Sequence, residues 1–281
     1  MPTSHFEPCI LDQHHIVVSL ASSNDELLNA CFLRYGKPLP QEALTQRCWV
    51  LAKLEERFSV HVGYDSVNPP YPNFGSLNIT VYFDDIRVSD AFITAESIAA
   101  RAAVKKAKRA EALKKQRFKR SLTEAELDAL EGEWKEGDPI HGATEICGSP
   151  GDGGHMSPFH FALRLVIDEN YTWGDVQQIG QIRVEVRWVK LQTGLPGSMK
   201  SLYREAVHLL DPIGRAHVGD KHRLVAAIDH LREEIDPDVK AEREAEGGFR
   251  FSYEPLDATV YRFVFHYAEE RVLKMEGFIP S

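Results

Sequence analysis

Several stretches of the chain alternate apolar and polar residues or hold β-branched runs, and both patterns predict β-strands. The two clearest are FHFALRLVID at 159–168 and QIRVEVRWVK at 181–190. The residues expected to point inward are Phe159, Phe161, Leu163, Leu165 and Ile167 in the first stretch and Ile182, Val184, Val186 and Trp188 in the second. Further strands are predicted at 14–21, 59–65, 77–85, 249–255 and 258–267.

Other stretches place apolar residues three to four positions apart, which is the spacing of one helix face. Helices are predicted at 23–35, with Ser23 or Asn24 as the cap, at 41–58, from the turn at 194–197 to about 210, and at 221–235. The stretch at 94–118 is rich in Ala, Lys, Arg and Leu, which favour a long helix. The sequence SLTE at 121–124 fits a capping box and predicts a further helix at 122–136.

These elements together predict an α+β fold with two antiparallel-sheet subdomains that also contain helices. We expect an N-terminal subdomain at 1–93 and a C-terminal subdomain at 159–281, with a projecting charged helical hairpin at 94–136. The stretch GDPIHGATEICGSPGDGGHMSP at 137–158 is rich in Gly, Pro and polar residues, so it is predicted to be a loop linker.

One segment, RAAVKKAKRAEALKKQRFKR from Arg101 to Arg120, is intensely basic. Ten Lys or Arg and one acid, Glu111, give it a charge of +9, whereas the whole chain carries −9. One interpretation is a nucleic-acid-binding arm whose cations contact phosphates. The other is a hairpin in which this helix packs antiparallel to the acid-rich helix at 122–136 across a short turn. We favour the hairpin, because the segment lacks interleaved aromatic residues and belongs to no recognised binding module.

The composition, with 43% hydrophobic and 27% charged residues, is typical of a globular protein. Nothing in the sequence resembles a signal peptide, and no stretch approaches 18 consecutive apolar residues, so no membrane span is expected. The scattered cysteines, Cys9, Cys31, Cys48 and Cys147, are typical of reduced thiols. These features predict a cytoplasmic protein.

The legible catalytic motifs are missing from the sequence, which has no phosphate-binding glycine loop, no nucleophile elbow and no HExxH helix. The densest set of metal-ligating residue types is Cys147, Asp152, His155 and His160, but it lacks the close pairs that zinc sites use. The poor ligand spacing predicts no metal and no cofactor, and the missing motifs remove the most legible classes of enzyme. An enzyme with an unfamiliar site near Cys147–His160 stays open as an alternative.

Aromatic residues in and beside the Pro-rich stretch NPPYPNFGS at 68–76 are the candidates for binding a partner protein. Tyr64, Tyr71 and Phe74 would supply aromatic anchors, which often dominate binding energy. Asp65 would supply charge, which sets the rate of encounter. The competing interpretation is that these rings pack back onto their own sheet.

The chain resembles bacterial toxin-immunity proteins of the immunity protein 52 family. The resemblance rests on overall character and on RCWVLAKLEERFSVHVGYDS at 47–66 followed by LNITVYFDD at 77–85, and it extends through FHFALRLVID and IRVEVRWVK. That family is associated with toxins of restriction-endonuclease fold that are delivered by contact-dependent secretion systems such as type VI secretion.

The resemblance implies a non-enzymatic protein that binds and neutralises a cognate toxin, here a nuclease. The expected mechanism sets an acidic surface against the cationic cleft of the nuclease. A mobile-element nucleic-acid-binding protein that uses the basic helix Arg101–Arg120 is the alternative from a different functional class.

Overall fold

Strands dominate the part of the chain that the computed structural model describes, which is residues 7–24, 26–31, 44–115, 142–150, 155–163, 166–167, 180–192, 213–214, 224–228, 233–234, 252–275 and 277–278. The strands are β1 (Glu7–Pro8), β2 (Ile10–Gln13), β3 (Ile16–Ser22), β4 (Asn29–Cys31), β5 (Thr45–Leu51), β6 (Phe58–Tyr64), β7 (Gly75–Phe83), β8 (Ile86–Ile93), β9 (Ala143–Ile146), β10 (Gly148–Pro150), β11 (His155–Leu163), β12 (Val166–Ile167), β13 (Gln181–Gln192), β14 (Ile213–Gly214), β15 (Leu224–Ile228), β16 (Glu233–Glu234), β17 (Ser252–Pro255) and β18 (Tyr261–Ala268). The helices within these residues are α1 (Ala95–Lys115) and α2 (Glu270–Met275).

The strands pair into a larger and a smaller sheet, with further strands beside them. Among the described residues the larger sheet has the order β1-β4-β5-β18-β13-β7-β8, with β17 also paired to β13. The smaller sheet has the order β2-β3-β6-β9. A third sheet joins β10, β11, β15 and β16, and β12 pairs with β14. The β5–β18 and β12–β14 pairs are parallel, whereas the other pairs are antiparallel.

The core lies between the larger and the smaller sheet, which pack face to face. Alternation along the strands produces this arrangement, because every second residue points to the same side. In β13, for example, Ile182, Val184 and Val186 are fully buried. Across the interface, Phe58 of β6 meets Phe83 of β7 with ring centroids 5.7 Å apart. The opposite face of the larger sheet carries the residues that alternate with these, such as Arg183, Glu185 and Arg187 of β13.

Helix α1 follows β8 directly, and side chains fix its first turn. The Thr94 hydroxyl accepts a hydrogen bond from the Ser97 N–H at 3.2 Å, as an N-cap does. Ser76 of β7 accepts a second one, at 3.0 Å, from the first N–H of the helix. Ile98 is buried against the sandwich core. The long helix predicted at 94–118 is thus confirmed over its described residues.

Most predicted strands are also confirmed. Strands β3, β6, β7, β13, β17 and β18 lie within or closely overlap the predicted stretches at 14–21, 59–65, 77–85, 181–190, 249–255 and 258–267. Strand β11 confirms the start of the stretch at 159–168, and both Phe159 and Phe161 are fully buried. Leu163, however, is exposed, so the prediction that it points inward is wrong.

The helices predicted at 23–35 and 41–58 are wrong over their described residues. Residues 29–31 and 45–51 are the strands β4 and β5, and β6 begins at 58. Cys48, Val50 and Ala52 are buried with a period of two. Trp49 and Leu51 point to the other side, where they pack against α2. Because both faces of β5 carry apolar residues, the sequence imitates the three-to-four spacing of a helix.

The loop linker predicted at 137–158 is wrong over its described residues, since β9 and β10 fill 143–146 and 148–150 and β11 begins at 155. Gly148 shows why this glycine-rich stretch forms a strand. A Cβ there would lie 2.5 Å from the carbonyl oxygen of Ser157, so glycine allows β10 to approach β11 closely. The helix predicted at 221–235 is also wrong, because β15 and β16 occupy part of it.

The larger sheet crosses the expected subdomain limits. It combines β5, β7 and β8 from residues 1–93 with β13, β17 and β18 from residues 159–281. The two expected sheet subdomains are therefore not separate sheets. The α+β prediction is confirmed in part, since the structure combines antiparallel sheets with helices. Most of the described residues are strand, however, so helix contributes less than expected. The second helix of the predicted hairpin, at 122–136, lies outside the described residues.

Candidate partner-binding surface

The Pro-rich loop between β6 and β7 carries most of the residues singled out from the sequence. We define the loop surface as residues 65–74 together with Trp188 and Asp257, which hold the loop in place. The loop begins where β6 ends at Tyr64 and stops where β7 begins at Gly75. Its three prolines have no N–H to donate, so the chain cannot continue the strand pairing there. The predicted loop is confirmed for residues 68–74.

Tyr71 anchors the loop at two points. Its hydroxyl donates a hydrogen bond to Oδ2 of Asp257 at 2.9 Å. Its ring meets Trp188 edge to face, with centroids 5.6 Å apart. The hydrogen bond to Asp257 raises the pKa of the Tyr71 phenol above its ordinary value. Tyr71 therefore ties the loop to strand β13 and to the β17–β18 connection.

Gly75 closes the loop by allowing the backbone to approach Tyr71. The Gly75 N–H donates to the Tyr71 carbonyl at 3.0 Å. A Cβ on residue 75 would lie 2.4 Å from the Tyr71 Cβ and 2.9 Å from its carbonyl oxygen. Those separations are far inside van der Waals contact, so only glycine fits without a shift of the loop.

Phe74 is the aromatic residue that the loop presents to the outside. Its ring centroid lies 6.0 Å from that of Tyr71, yet 47% of the residue remains exposed. A half-exposed phenylalanine on a loop that is fixed at Tyr71 and Gly75 offers apolar surface in a set position. This is the property expected of a binding anchor.

Tyr64 does not offer such a surface, which corrects its role as a candidate. It is only 3% exposed and packs edge to face on Trp188, with ring centroids 5.1 Å apart. Burial raises the pKa of its phenol above the ordinary value. Tyr64 belongs to the core, as the competing interpretation of these aromatics held.

Asp65 pairs with two of the positive charges of the basic helix, those of Arg101 and Lys105. Its carboxylate accepts a hydrogen bond from Lys105 Nζ at 2.8 Å and one from Arg101 Nη2 at 3.3 Å. Burial alone would raise its pKa, but the hydrogen bonds and charges of Lys105 and Arg101 outweigh burial and hold the pKa of Asp65 below its ordinary value. Two cations of α1 are thus directed to the start of the loop. The predicted contacts with the helix at 122–136 lie outside the described residues.

The sequence reasoning missed Trp188 and Asp257 as parts of this surface. The sequence does predict that Trp188 points inward, because it continues the alternation of Ile182, Val184 and Val186 in β13, but it does not predict that Trp188 contacts the loop. Asp257 follows β17 and also accepts a hydrogen bond from the Thr259 N–H at 2.7 Å. No signal in the sequence links Asp257 to Tyr71, since 186 residues separate them.

Of the residues in the alternative site near Cys147–His160, His155 and His160 lie in β11, and Cys147 lies between β9 and β10. The Cys147 thiol donates to the sulfur of Met156 at 3.7 Å. His160 lies in β11 beside Phe159, so the two side chains point to opposite faces of that strand. Asp152 lies outside the described residues. Within the described residues, no three His, Cys, Asp or Glu side chains are grouped closely enough to hold a metal ion.

Comparisons of this chain with protein-family models, with curated proteins and with solved structures give no match. In the part of the chain that is described, no helix has both the length and the apolar character needed to cross a membrane.

Proposed function

We propose that the chain is a non-enzymatic immunity protein that acts by stoichiometric binding. Its partner is a cognate secreted antibacterial toxin, a nuclease, which it neutralises in the cytoplasm. The proposal joins the family resemblance of the sequence to a single feature of the fold, the exposed Phe74 on the loop surface.

Phe74 supports the proposal because the loop around it is fixed before any partner binds. Tyr71 is held by Trp188 and Asp257, and the Gly75 N–H donates to the Tyr71 carbonyl and closes the loop. A preorganised loop loses little conformational entropy on binding, so more of the contact energy of an exposed ring is available. A neighbouring acid, Asp65, is already paired with Arg101 and Lys105, so its charge positions the loop more than it attracts a cationic partner.

The direct test is coexpression with the toxin candidate encoded beside its gene. The wild-type chain is expected to rescue growth and to copurify with the toxin in a fixed ratio. Phe74→Ala is expected to weaken the complex at least about tenfold, since aromatic anchors contribute 1.4 kcal/mol or more.

Leu54→Ala is the matched control, because Leu54 is exposed to nearly the same extent, 46%, outside the loop surface. It is expected to leave rescue and affinity unchanged. The proposal is wrong if the chain neither binds nor protects against any neighbouring gene product. Equal losses of affinity in the Phe74 and Leu54 variants would show that the loop surface is not the binding site.

A further inference from the structure

The larger sheet has a second face, opposite the core, that carries a band of arginines. Strand register brings them together, because directly paired residues point to the same face. Arg183 of β13 lies opposite Tyr82 of β7, which lies opposite Arg87 of β8. Val264 of β18 lies opposite both Arg183 and Arg47 of β5. We call this band the arginine face, and its members are Arg47, Arg87, Arg183, Arg187 and Arg262.

A buried carboxylate, that of Glu185, organises the centre of the arginine face. Arg187 Nη2 donates to it at 2.9 Å and Arg262 Nε at 3.1 Å, while Arg183 Nε lies 3.6 Å away. Burial raises the pKa of Glu185, but the hydrogen bonds from Arg187 and Arg262 and the nearby positive charges outweigh it, so the pKa lies below the ordinary value. The ionised carboxylate therefore holds the guanidinium groups in defined positions.

Further contacts fix the face on either side of Glu185. Arg183 also pairs with Asp85, and its guanidinium carbon lies 4.3 Å above the centre of the Tyr82 ring. Arg87 pairs with Asp90 within β8. These guanidinium groups are arranged by the protein itself, which lowers the entropy that a ligand would have to remove.

Positive charge exceeds negative charge on the described part of this face. Arg183, Arg187 and Arg262 share the two carboxylates of Asp85 and Glu185, whereas the whole chain has a net charge of −9. The side chains keep outward surface, with 40%, 39% and 45% exposure for Arg87, Arg187 and Arg262. From β5 to β8 the band crosses five strands, a width of about 19 Å at the usual strand spacing.

We infer that the arginine face binds an acidic segment of a partner protein. Guanidinium groups form charge-assisted hydrogen bonds with carboxylates, as Arg187 and Arg262 already do by donating one hydrogen bond each to Glu185. Clusters of arginine recognise acidic peptide motifs in this way. The width of the band suits an extended chain that places several carboxylates across the strands.

The observations favour a polypeptide over a nucleic acid. Single-stranded nucleic acids are held by bases stacked on aromatic rings. On this face the Tyr82 ring is already covered by Arg183, and the exposed Tyr253 ring packs edge to face with Phe92. The net charge of the chain also repels a polyphosphate. The inference is independent of the toxin proposal, because a cationic nuclease cleft does not complement an arginine face.

A labelled oligoglutamate peptide is a direct probe, with binding followed by fluorescence anisotropy at low ionic strength. The full chain is expected to bind it, and added salt is expected to weaken binding. Arg47→Gln, and the double variant Arg187→Gln with Arg262→Gln, are expected to weaken binding by about 2- to 5-fold for each arginine removed. Arg47→Gln keeps the test informative if the double variant fails to fold, since Glu185 does not rely on Arg47 for its hydrogen bonds.

Lys53→Gln is the charge-matched control, because Lys53 is 70% exposed and lies outside the arginine face. It is expected to bind oligoglutamate as the wild type does. Failure of the wild type to bind, or an equal loss in Lys53→Gln, overturns the inference. So does tighter binding of a labelled single-stranded DNA that depends on the same arginines, since the face would then be a nucleic-acid surface.

Discussion

The loop surface and the arginine face are held together by different forces. The loop rests on buried aromatic rings, with Trp188 packed between Tyr64 and Tyr71. The arginine face rests on one buried carboxylate, Glu185, surrounded by guanidinium groups that remain partly in solvent. The first region therefore depends on apolar contact and shape, and the second depends on charge.

This difference fixes how each region responds to change. Burying an aromatic ring contributes several kcal/mol and is insensitive to salt. An exposed ion pair contributes about 0–1 kcal/mol and is screened by salt. Substitutions of the buried rings that support the loop, Trp188 and Tyr64, should thus act mainly on stability, whereas those at the rim of the arginine face should act mainly on the binding of charged partners.

The largest expected effect is that of Trp188→Ala. Trp188 is almost fully buried and contacts both Tyr64 and Tyr71, so its removal leaves a cavity beneath the loop. We expect the free energy of unfolding to fall by about 3–5 kcal/mol, measured by urea denaturation. Phe74→Ala is the aromatic control, since Phe74 is half exposed, and it should cost less than about 1 kcal/mol. Similar losses in both variants would show that Trp188 is not the support of the loop.

Gly75→Ala should come next, because it tests the loop through its backbone alone. The added Cβ would lie 2.4 Å from the Tyr71 Cβ, so the loop must shift or strain. We expect a loss of about 1–3 kcal/mol in unfolding free energy. At Gly63, in contrast, a Cβ would meet its nearest atom at 3.8 Å, an ordinary contact. Gly63→Ala should therefore be close to neutral, and equal losses at the two positions would contradict the tight closure at Tyr71.

Glu185→Gln measures how much the buried carboxylate contributes to the stability of the arginine face. The substitution removes a buried charge and leaves Arg187 and Arg262 without the carboxylate they pair with, while Arg183 keeps Asp85, at an expected cost of about 1–3 kcal/mol at neutral pH. This cost is smaller than that of breaking a fully buried ion pair, because the guanidinium groups reach solvent.

The cost of Glu185→Gln should depend on pH and salt. The pKa of Glu185 is lower in the folded state than the ordinary 4.5, so its contribution is fully present above pH 4.5 and is lost as the pH falls through the folded-state pKa. The difference in unfolding free energy between wild type and variant should shrink below pH 4.5 and also in high salt. A difference that is constant with pH would contradict an ionised Glu185.

How far the sequence predicts this fold depends on which side chains share a face. Strand β13 was predicted because its apolar residues alternate with polar ones. The sequence of β5 predicts a helix because Trp49 and Leu51 pack on α2 while Cys48 and Val50 face the core. A strand with two apolar faces has no clear period, so only its pairing with β18, which is far away in the sequence, identifies it.

The features of the candidate surface also differ in how far the sequence predicts them. Composition and prolines predict the loop and its exposed Phe74, since those are local properties. The burial of Tyr64 and the contacts of Tyr71 with Trp188 and Asp257 depend on residues more than a hundred positions away. Likewise, the five arginines of the arginine face are scattered along the sequence, and only the strand register assembles them.

Among the charge substitutions in the two regions, the smallest expected effect is that of Asp65→Asn, where the loop surface itself uses charge. Lys105 is buried but Asp65 is partly exposed, so losing the pairs with Arg101 and Lys105 should cost about 1 kcal/mol after allowance for solvent screening. Its folded-state pKa is below the ordinary 3.8, so this contribution is present above pH 3.8 and is lost as the pH falls through the lower value. Urea denaturation of both proteins at neutral pH and below pH 3.8 measures the difference. Glu270→Gln, which breaks an exposed pair with Lys274 on α2, should change stability less. If Asp65→Asn costs as much as Trp188→Ala, the loop depends on charge as strongly as the arginine face does, and the contrast between the two regions fails.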